Sequence, residues 1–227
     1  LGSTTVICTD KTGTLTRKEM TVRVFEVAGK RIEVTGTGYA VKGEFTLDGR
    51  KVDLGTNSDE AAALRLALRI GALCNDAKLE RTGDTTNVLG DPTEAALIVA
   101  AEKSGLDLVA LQGDYPRTSE IPFNSETKRM ATAHGTPEGK AVAYVKGSPA
   151  AVMAASVSVL GPGGVAPMSE EERTRGGATN DALALFGNSE AHGIVLLKPY
   201  ADYDTEYQRV VADLTAMLPL GLPILGE

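Results

Sequence analysis

The chain has 227 residues, of which 42% are hydrophobic, which is enough for one large domain with a sizeable core. Its net charge of −7 and the lack of any basic run argue against a nucleic-acid-binding surface. No stretch approaches the roughly 20 apolar residues of a membrane-spanning helix, so we expect no direct membrane insertion by this segment. Cys8 and Cys74 lack metal-ligand spacing, which favours reduced thiols in the cytosol.

The first predicted element is a buried strand at residues 4–9, which delivers the carboxylate of Asp10 to its C-terminal end. Open α/β sheets bind their ligands at this edge. In the string DKTGTLT at residues 10–16, Lys11 adds a positive charge and Gly13 lets backbone amides approach a phosphate. This pattern is typical of a carboxylate that attacks a phosphoryl group. A plain strand and turn, whose acid caps a helix, is the alternative, and it does not explain the whole string.

Strands and helices alternate in the middle of the chain. Strand-like runs are predicted at residues 20–27, 31–35, 44–47, 51–54, 118–123, 129–133 and 141–145. Turns are predicted at residues 28–29 and 48–49, and a polar loop with Thr82 after the first helix. Helices are predicted to start at Ser58, Asp91 and Ser148. The pattern predicts an α+β fold, an antiparallel sheet flanked by helices.

The C-terminal third gives weaker signals. A loop is predicted at residues 161–164, a helix from Ser169 that two glycines interrupt, a strand at 192–197 and a helix at 207–217. No internal repeat is visible.

The string DKTGTLT resembles the phosphorylation signature of P-type ATPases, the ion pumps that form an aspartyl-phosphate. The resemblance implies that Asp10 is the nucleophile, that Lys11 and Thr12 steady the phosphoryl oxygens, and that Asp10 and the Thr12 carbonyl bind Mg²⁺. Haloacid-dehalogenase-like phosphatases usually carry a second Asp where Thr12 stands. Because threonine is not a base near neutral pH, the phosphorylated intermediate should persist, which favours a pump.

Three further strings are similar to those of the nucleotide-binding domain of P-type pumps, and they follow the family's order. They are GDPTEAAL at residues 90–97, PFNSETKRM at 122–130 and VKGSPA at 145–150. The resemblance implies that Glu94 faces the exocyclic amine of adenine and that Phe123 stacks on the base. It further implies that Lys128 lines the same pocket, that Lys146 lies deep within it, and that Gly147 lets the backbone pass close to the base.

Each of these residues also has a simpler interpretation. Glu94 completes a capping box with the N-cap Asp91, which is a common helix start. A lone Phe123 is more often a core residue, and a lone Lys146 at a strand end is usually solvated. Arg129 pairs with phosphate or is a solvated strand charge, and the sequence leaves these two open.

Other positions refine the resemblance. LCNDA at residues 73–77 points to the calcium or sodium/potassium-pump-like branch rather than to heavy-metal pumps. Ala150 replaces a usual glutamate, and Lys18 replaces a usual asparagine. The strings that supply the second half of the phosphorylation domain and its magnesium carboxylates are missing from residues 187–227.

The resemblance implies three regions. Residues 1–20 are the N-terminal part of a Rossmann-like, haloacid-dehalogenase-like α/β phosphorylation (P) domain, 21–186 a nucleotide-binding (N) domain, and 187–227 a divergent segment. The expected ligands are ATP and Mg²⁺. The expected partners are the remaining P domain, the actuator domain and the membrane helices of the same pump.

The resemblance implies that the chain is a cytoplasmic portion of a membrane-embedded cation pump, and we expect it to be soluble in isolation and not competent for turnover alone. Two alternatives remain open from the sequence. One is a soluble haloacid-dehalogenase-like phosphatase, and the other is a non-catalytic nucleotide-binding module from a truncated pump gene.

Overall fold

The computed structural model describes residues 20–82, 85–171 and 193–194. Within these ranges the fold is α+β, as predicted, with antiparallel sheets and four helices. The helices are α1 (Asp59–Leu73), α2 (Pro92–Lys103), α3 (Leu108–Asp114) and α4 (Pro149–Ala155). The predicted P-domain fragment and its string at residues 10–16 lie outside the described residues, as do the predicted helix at 207–217 and nearly all of residues 187–227.

The first sheet has four antiparallel strands in the order β1-β2-β3-β4. These are β1 (Val24–Val27), β2 (Lys30–Val34), β3 (Phe45–Leu47) and β4 (Arg50–Lys51). Both predicted turns are confirmed: Ala28 and Gly29 have φ of 49° and 70°, and Asp48 and Gly49 have φ of 50° and 75°. Positive φ at both central residues matches the right-handed twist of the flanking strands, so each turn fixes its register.

Helix α1 lies at the centre of the core. It begins at the predicted N-cap Ser58, whose side chain accepts a hydrogen bond from the Ala61 amide, and its C-cap is Cys74. Its apolar face, with Leu64 and Leu68 fully buried, packs with the first sheet and with α2. The end of α1 packs with α3 and the second sheet. One helix therefore positions both sheets.

The second sheet has the order β12-β9-β8-β7. Its strands are β7 (Arg117–Asn124), β8 (Arg129–Gly135), β9 (Ala141–Gly147) and β12 (Gly193–Ile194). Strands β8 and β9 pair in continuous register, whereas β7 pairs with β8 through two register shifts. The β12 pairing with β9 confirms part of the strand predicted at residues 192–197.

Two predicted loops contain strands, and one further short helix lies between α2 and β7. The polar segment after α1 is a hairpin of β5 (Lys78–Thr82) and β6 (Thr85–Leu89), whose Leu79 and Val88 pack on α2. Helix α3 was not predicted because it is short and contains Gly113, although Asp107 is an ordinary N-cap signal. Glycines 161 and 164 close a hairpin of β10 (Ser158–Gly161) and β11 (Gly164–Pro167).

In the described part of the chain, no helix has both the length and the apolar character needed to cross a bilayer.

Candidate functional site

A pocket of about 260 Å³ opens between the first turn of α2, the end of α1 and the face of the β7–β8–β9 sheet. Ligand pockets for drug-sized molecules run from roughly 300 to 1,000 Å³, so this one suits a single flat ring system. Three of the predicted binding residues, Glu94, Phe123 and Lys146, line it together. The full lining is Asp76, Asp91, Thr93, Glu94, Leu97, Phe123, Met130 and Lys146.

An ion pair closes the deep end of the pocket. Lys146 is only 4% exposed, and its Nζ lies 2.6 Å from Oε1 of Glu94. The second carboxylate oxygen of Glu94 accepts the backbone N–H of Asp76 at 3.1 Å. A buried ammonium needs such a partner, because an unpaired charge in the interior is strongly unfavourable. The interpretation of Lys146 as a solvated strand-end lysine is therefore wrong.

The start of α2 shows why Glu94 is free to face the pocket. Asp91 caps α2 without the Glu94 side chain: its Oδ1 accepts hydrogen bonds from the amides of Thr93 and Glu94 at 2.8 and 3.3 Å. A capping box would require the Glu94 carboxylate to return to the Asp91 amide, but it bonds to Asp76 and Lys146 instead. The predicted N-cap is confirmed, and the predicted capping box is wrong.

Asn75 links the end of α1 to the first turn of α2. Its Nδ2 donates to the carbonyls of Gly71 and Glu94, both at 2.8 Å, and its Oδ1 accepts the amide of Ala77 at 2.9 Å. The side chain is buried and satisfies three backbone groups. Asn75 thus restrains the backbone of Glu94, while the Asp76 amide and Lys146 restrain its carboxylate.

Phe123 forms the outer wall of the pocket. It lies on the edge strand β7, where a register shift between Ile121 and Asn124 interrupts the pairing with β8. Its side chain is 48% exposed. Its apolar neighbours across the pocket are the buried Leu97 and Met130. Core packing, the simpler interpretation of this phenylalanine, does not describe a ring with half its surface open beside a pocket.

Gly147 and Lys128 lie next to each other and are not among the residues that line the pocket. A Cβ on Gly147 would come within 2.3 Å of the Lys128 carbonyl oxygen and 2.6 Å of Arg129 Cβ. The glycine therefore allows strand β9 to approach the start of β8. Lys128 is exposed, with φ of 52°, and Arg129 Nη1 donates to the Ala151 carbonyl at 3.3 Å.

The charge of the pocket is mostly negative. Three carboxylates, Asp76, Asp91 and Glu94, face one ammonium, Lys146. Below the pocket, burial raises the pKa of the Cys74 thiol, which donates to the Tyr144 carbonyl at 3.5 Å. Cys74 is a free, buried thiol, as the sequence suggested.

The predicted phosphorylation residues Asp10, Lys11 and Thr12 lie outside the described residues, and so does the predicted Mg²⁺ site of Asp10 and Thr12. Within residues 20–82, 85–171 and 193–194, no three His, Cys, Asp or Glu side chains are grouped to hold a metal ion.

Comparison with known families settles the family of this chain. Residues 63–192, more than half of the 227, match the family described as P-type ATPase, cytoplasmic domain N. The chain belongs to this family. The matched span of this N domain contains α2, the β7–β8–β9 sheet and every lining residue of the pocket.

Curated relatives of this N domain are named as cation pumps. It is 44% identical to the cation-transporting ATPase pma1 of Synechocystis over 70% of the chain, and 35% identical to a calcium-transporting ATPase of Bacillus subtilis over 76%. It is 34% identical to the human calcium-transporting ATPase type 2C member 1 over 99%. The aligned regions cover 18%, 19% and 25% of these relatives, so the chain spans a quarter or less of their length.

Sequence reasoning missed several pocket residues. Leu97 and Met130 lie within the motifs quoted above but carry no chemical signal of their own. Asp76 follows the end of α1, and its backbone contact with Glu94 spans 18 residues. Contacts of this kind depend on the packing of α1 against α2, which no local pattern gives.

Proposed function

We propose that this N domain is the ATP-binding cytoplasmic part of a cation-transporting P-type ATPase and that the adenine base of ATP binds in the pocket. One observation carries the proposal. Glu94, Phe123 and Lys146 come from three separate strings and lie up to 52 residues apart in sequence, yet they line a single pocket of nucleobase size. The family membership of the chain supports the same function.

Each lining group has a role that its chemistry allows. The Glu94 carboxylate, with lone pairs beyond those used by Lys146 and Asp76, accepts the exocyclic amine of adenine. The Lys146 ammonium has donors left for a ring nitrogen. Phe123 offers an aromatic ring that is 48% exposed, and base–aromatic stacking is worth roughly 1–3 kcal/mol per base. Leu97 and Met130 cover the other apolar surface.

The charge of the pocket orients the nucleotide. A triphosphate placed next to Asp76 and Asp91 would meet like charges, whereas a neutral base does not. The base therefore enters and the phosphates point out of the pocket. In this proposal Lys128, which is exposed and does not line the pocket, contributes to the electrostatic field rather than to a contact with the base.

In the whole pump we propose that domain closure brings the γ-phosphate of ATP to Asp10. A carboxylate oxygen of Asp10 attacks the γ-phosphorus in line, the bond to the β-phosphate oxygen breaks, and the products are an aspartyl-phosphate and ADP, while Lys11 and Thr12 steady the phosphoryl oxygens. Mg²⁺, held by Asp10 and the Thr12 carbonyl, supplies charge neutralisation when bound. The proposed boundaries are residues 1–20 for the P-domain part, 21–186 for the N domain and 187–227 for a divergent segment. The names of the relatives favour the calcium-pump branch.

Calorimetric titration of the 227-residue chain with ATP tests this function. We expect weak binding that Phe123→Ala weakens by at least about tenfold, or 1.4 kcal/mol, because the stacking surface is lost. Val109→Ala, which truncates an 81% exposed apolar side chain on α3 away from the pocket, is the matched control and should leave the affinity unchanged. No heat at millimolar ATP, or equal affinities for Phe123→Ala and the parent, would contradict the proposal.

A further inference from the structure

We propose that Arg117 is a positioning residue that fixes the distance between two walls of the pocket. The acid wall consists of Asp76 and Glu94, and the aromatic wall is Phe123. Arg117 lies outside the pocket lining and belongs to none of the motifs that identify the domain. The inference rests on the proposed function, since it concerns how the same pocket receives a base.

One guanidinium makes four hydrogen bonds across this region. Its Nη1 donates to Asp76 Oδ1 and to Glu120 Oε2, each at 2.7 Å. Its Nη2 donates to the carbonyls of Leu73 and Asn75, at 3.1 and 2.7 Å. A cation at these carbonyls also complements the negative end of the α1 dipole. The planar fork of arginine satisfies all four acceptors at once, which no other side chain can do.

Three of these bonds connect the strand that carries Phe123 to the segment after α1, and the fourth, to Glu120, stays within β7. On one side the three bonds hold the segment after α1, whose Asp76 amide in turn holds the Glu94 carboxylate at 3.1 Å. On the other side Arg117 begins β7, the strand that carries Phe123 six residues later. Among the described strands β7 pairs only with β8, and with two register shifts. The ladder alone therefore sets the place of Phe123 loosely, and Arg117 adds a restraint where β7 begins.

The exposure of these side chains indicates whether loss of Arg117 should affect folding stability or ATP binding. The side chains of Arg117, Asp76 and Glu120 are 29%, 56% and 47% exposed, and ion pairs at such exposure add little to stability. The same bonds restrict the positions of groups that must meet a flat base from two directions. A displacement of about 1 Å is enough to weaken a preorganised site. Loss of Arg117 should then affect binding more than folding.

A double-mutant cycle on the full chain tests this coupling, with ATP affinity measured by calorimetry. Arg117→Ala is expected to weaken ATP binding about tenfold and Arg117→Lys much less. Phe123→Ala should cost less in the Arg117→Ala background than in the parent, because the ring is already displaced. Arg65→Ala is the matched control: Arg65 donates to the loop carbonyls of Leu54 and Thr56, away from the pocket, and should not change the affinity. Additive effects, or an unchanged affinity for Arg117→Ala, would overturn the proposal.

A second measurement needs no nucleotide and separates this inference from the proposed function. Hydrogen exchange of the Asp76 amide, the group bonded to Glu94, should be faster in Arg117→Ala than in the parent and unchanged in Arg65→Ala. Equal exchange in the parent and Arg117→Ala overturns the role of Arg117 even if ATP binds. If the parent fails to bind ATP, the proposed function falls, and faster exchange still supports Arg117 as the link between the walls.

Discussion

At the scale of single residues, the charge pair of Lys146 and Glu94 determines the character of the pocket. The lysine is almost fully buried, while the Glu94 side chain is 16% exposed and keeps the Asp76 amide as a second partner. The two members of the pair therefore depend on each other unequally. Removal of the carboxylate leaves a buried charge without compensation, whereas removal of the ammonium leaves an acid that is partly hydrated.

This inequality predicts the stability of two matched variants. Glu94→Gln should lower the free energy of unfolding by about 3 kcal/mol, the usual cost of breaking a buried ion pair. Lys146→Met, which removes the buried charge itself, should cost clearly less. Urea denaturation of both variants and of the double variant checks this, and the double variant should recover part of the loss. Equal losses in the two single variants would mean that Lys146 does not depend on this partner.

His134 links stability to pH at the same scale. The ring is buried, with Nδ1 2.9 Å from the Tyr115 carbonyl oxygen and Nε2 2.9 Å from Thr132 Oγ1. This arrangement suits a neutral imidazole that donates from Nδ1 to the carbonyl and accepts the threonine hydroxyl at Nε2. Burial lowers the pKa of His134 from its ordinary value of 6.5.

The sign of the pH effect follows from that shift. As the pH falls below 6.5, the unfolded chain takes up a proton that the folded state resists, so the free energy of unfolding falls. Above this value the contribution is fully present. Urea denaturation at pH 7.5 and 5.5 should show the loss in the parent and a smaller one in His134→Gln. An equal loss in both proteins would assign the pH dependence to other groups.

At the scale of elements, the close approach of β9 to the start of β8 shapes the floor of the pocket. Lys146 and Met130 are opposite each other in these two strands, and both line the pocket. Gly147, next along β9, has no room for a Cβ against the Lys128 carbonyl and Arg129. Gly147 thus allows β8 and β9 to lie close together, and β9 carries the buried Lys146.

Gly147→Ala should therefore force the strands apart and lower the free energy of unfolding by about 1–3 kcal/mol, the usual range for overpacking. Gly113→Ala is the matched control, because a Cβ there meets no atom within 4 Å and lies in helix α3. Alanine favours a helix, so this control should be neutral or slightly stabilising. Thermal unfolding of the two variants compares them directly, and similar melting temperatures would refute the packing argument.

The elements also show what the sequence could and could not predict. Helices with strong caps, such as those starting at Ser58 and Asp91, and hairpins with positive-φ turns were predictable because their signals are local. The β5–β6 hairpin was missed because its strands are polar and mostly exposed. The resemblance supplied Glu94, Phe123 and Lys146, but their arrangement depends on the packing of α2 against the second sheet.

The contacts that matter most at the site are long-range. The bond between Glu94 and Asp76 and three of the four bonds of Arg117 join segments up to 44 residues apart. No spacing rule relates such segments, because their distance is set by how α1 packs into the core. Local sequence patterns could therefore name pocket residues but not the residues that hold them in place.

At the scale of the whole molecule, the described residues supply the part of an N domain that we propose receives the adenine base. The chain spans a quarter or less of the length of relatives that are named as cation- or calcium-transporting ATPases. In the proposal, the residues for base recognition in the N domain and Asp10 for phosphoryl transfer are separate in sequence. In the proposed pump they meet only when the domains close around ATP.

The most direct test is an NMR measurement of intermolecular nuclear Overhauser effects between ATP and the 227-residue chain. If adenine occupies the pocket, its H2 and H8 protons should show effects to the Phe123 ring and to the Met130 methyl group, and the ribose should show weaker ones. Effects from adenine to residues outside the pocket, with none to Phe123, would contradict the proposed binding mode.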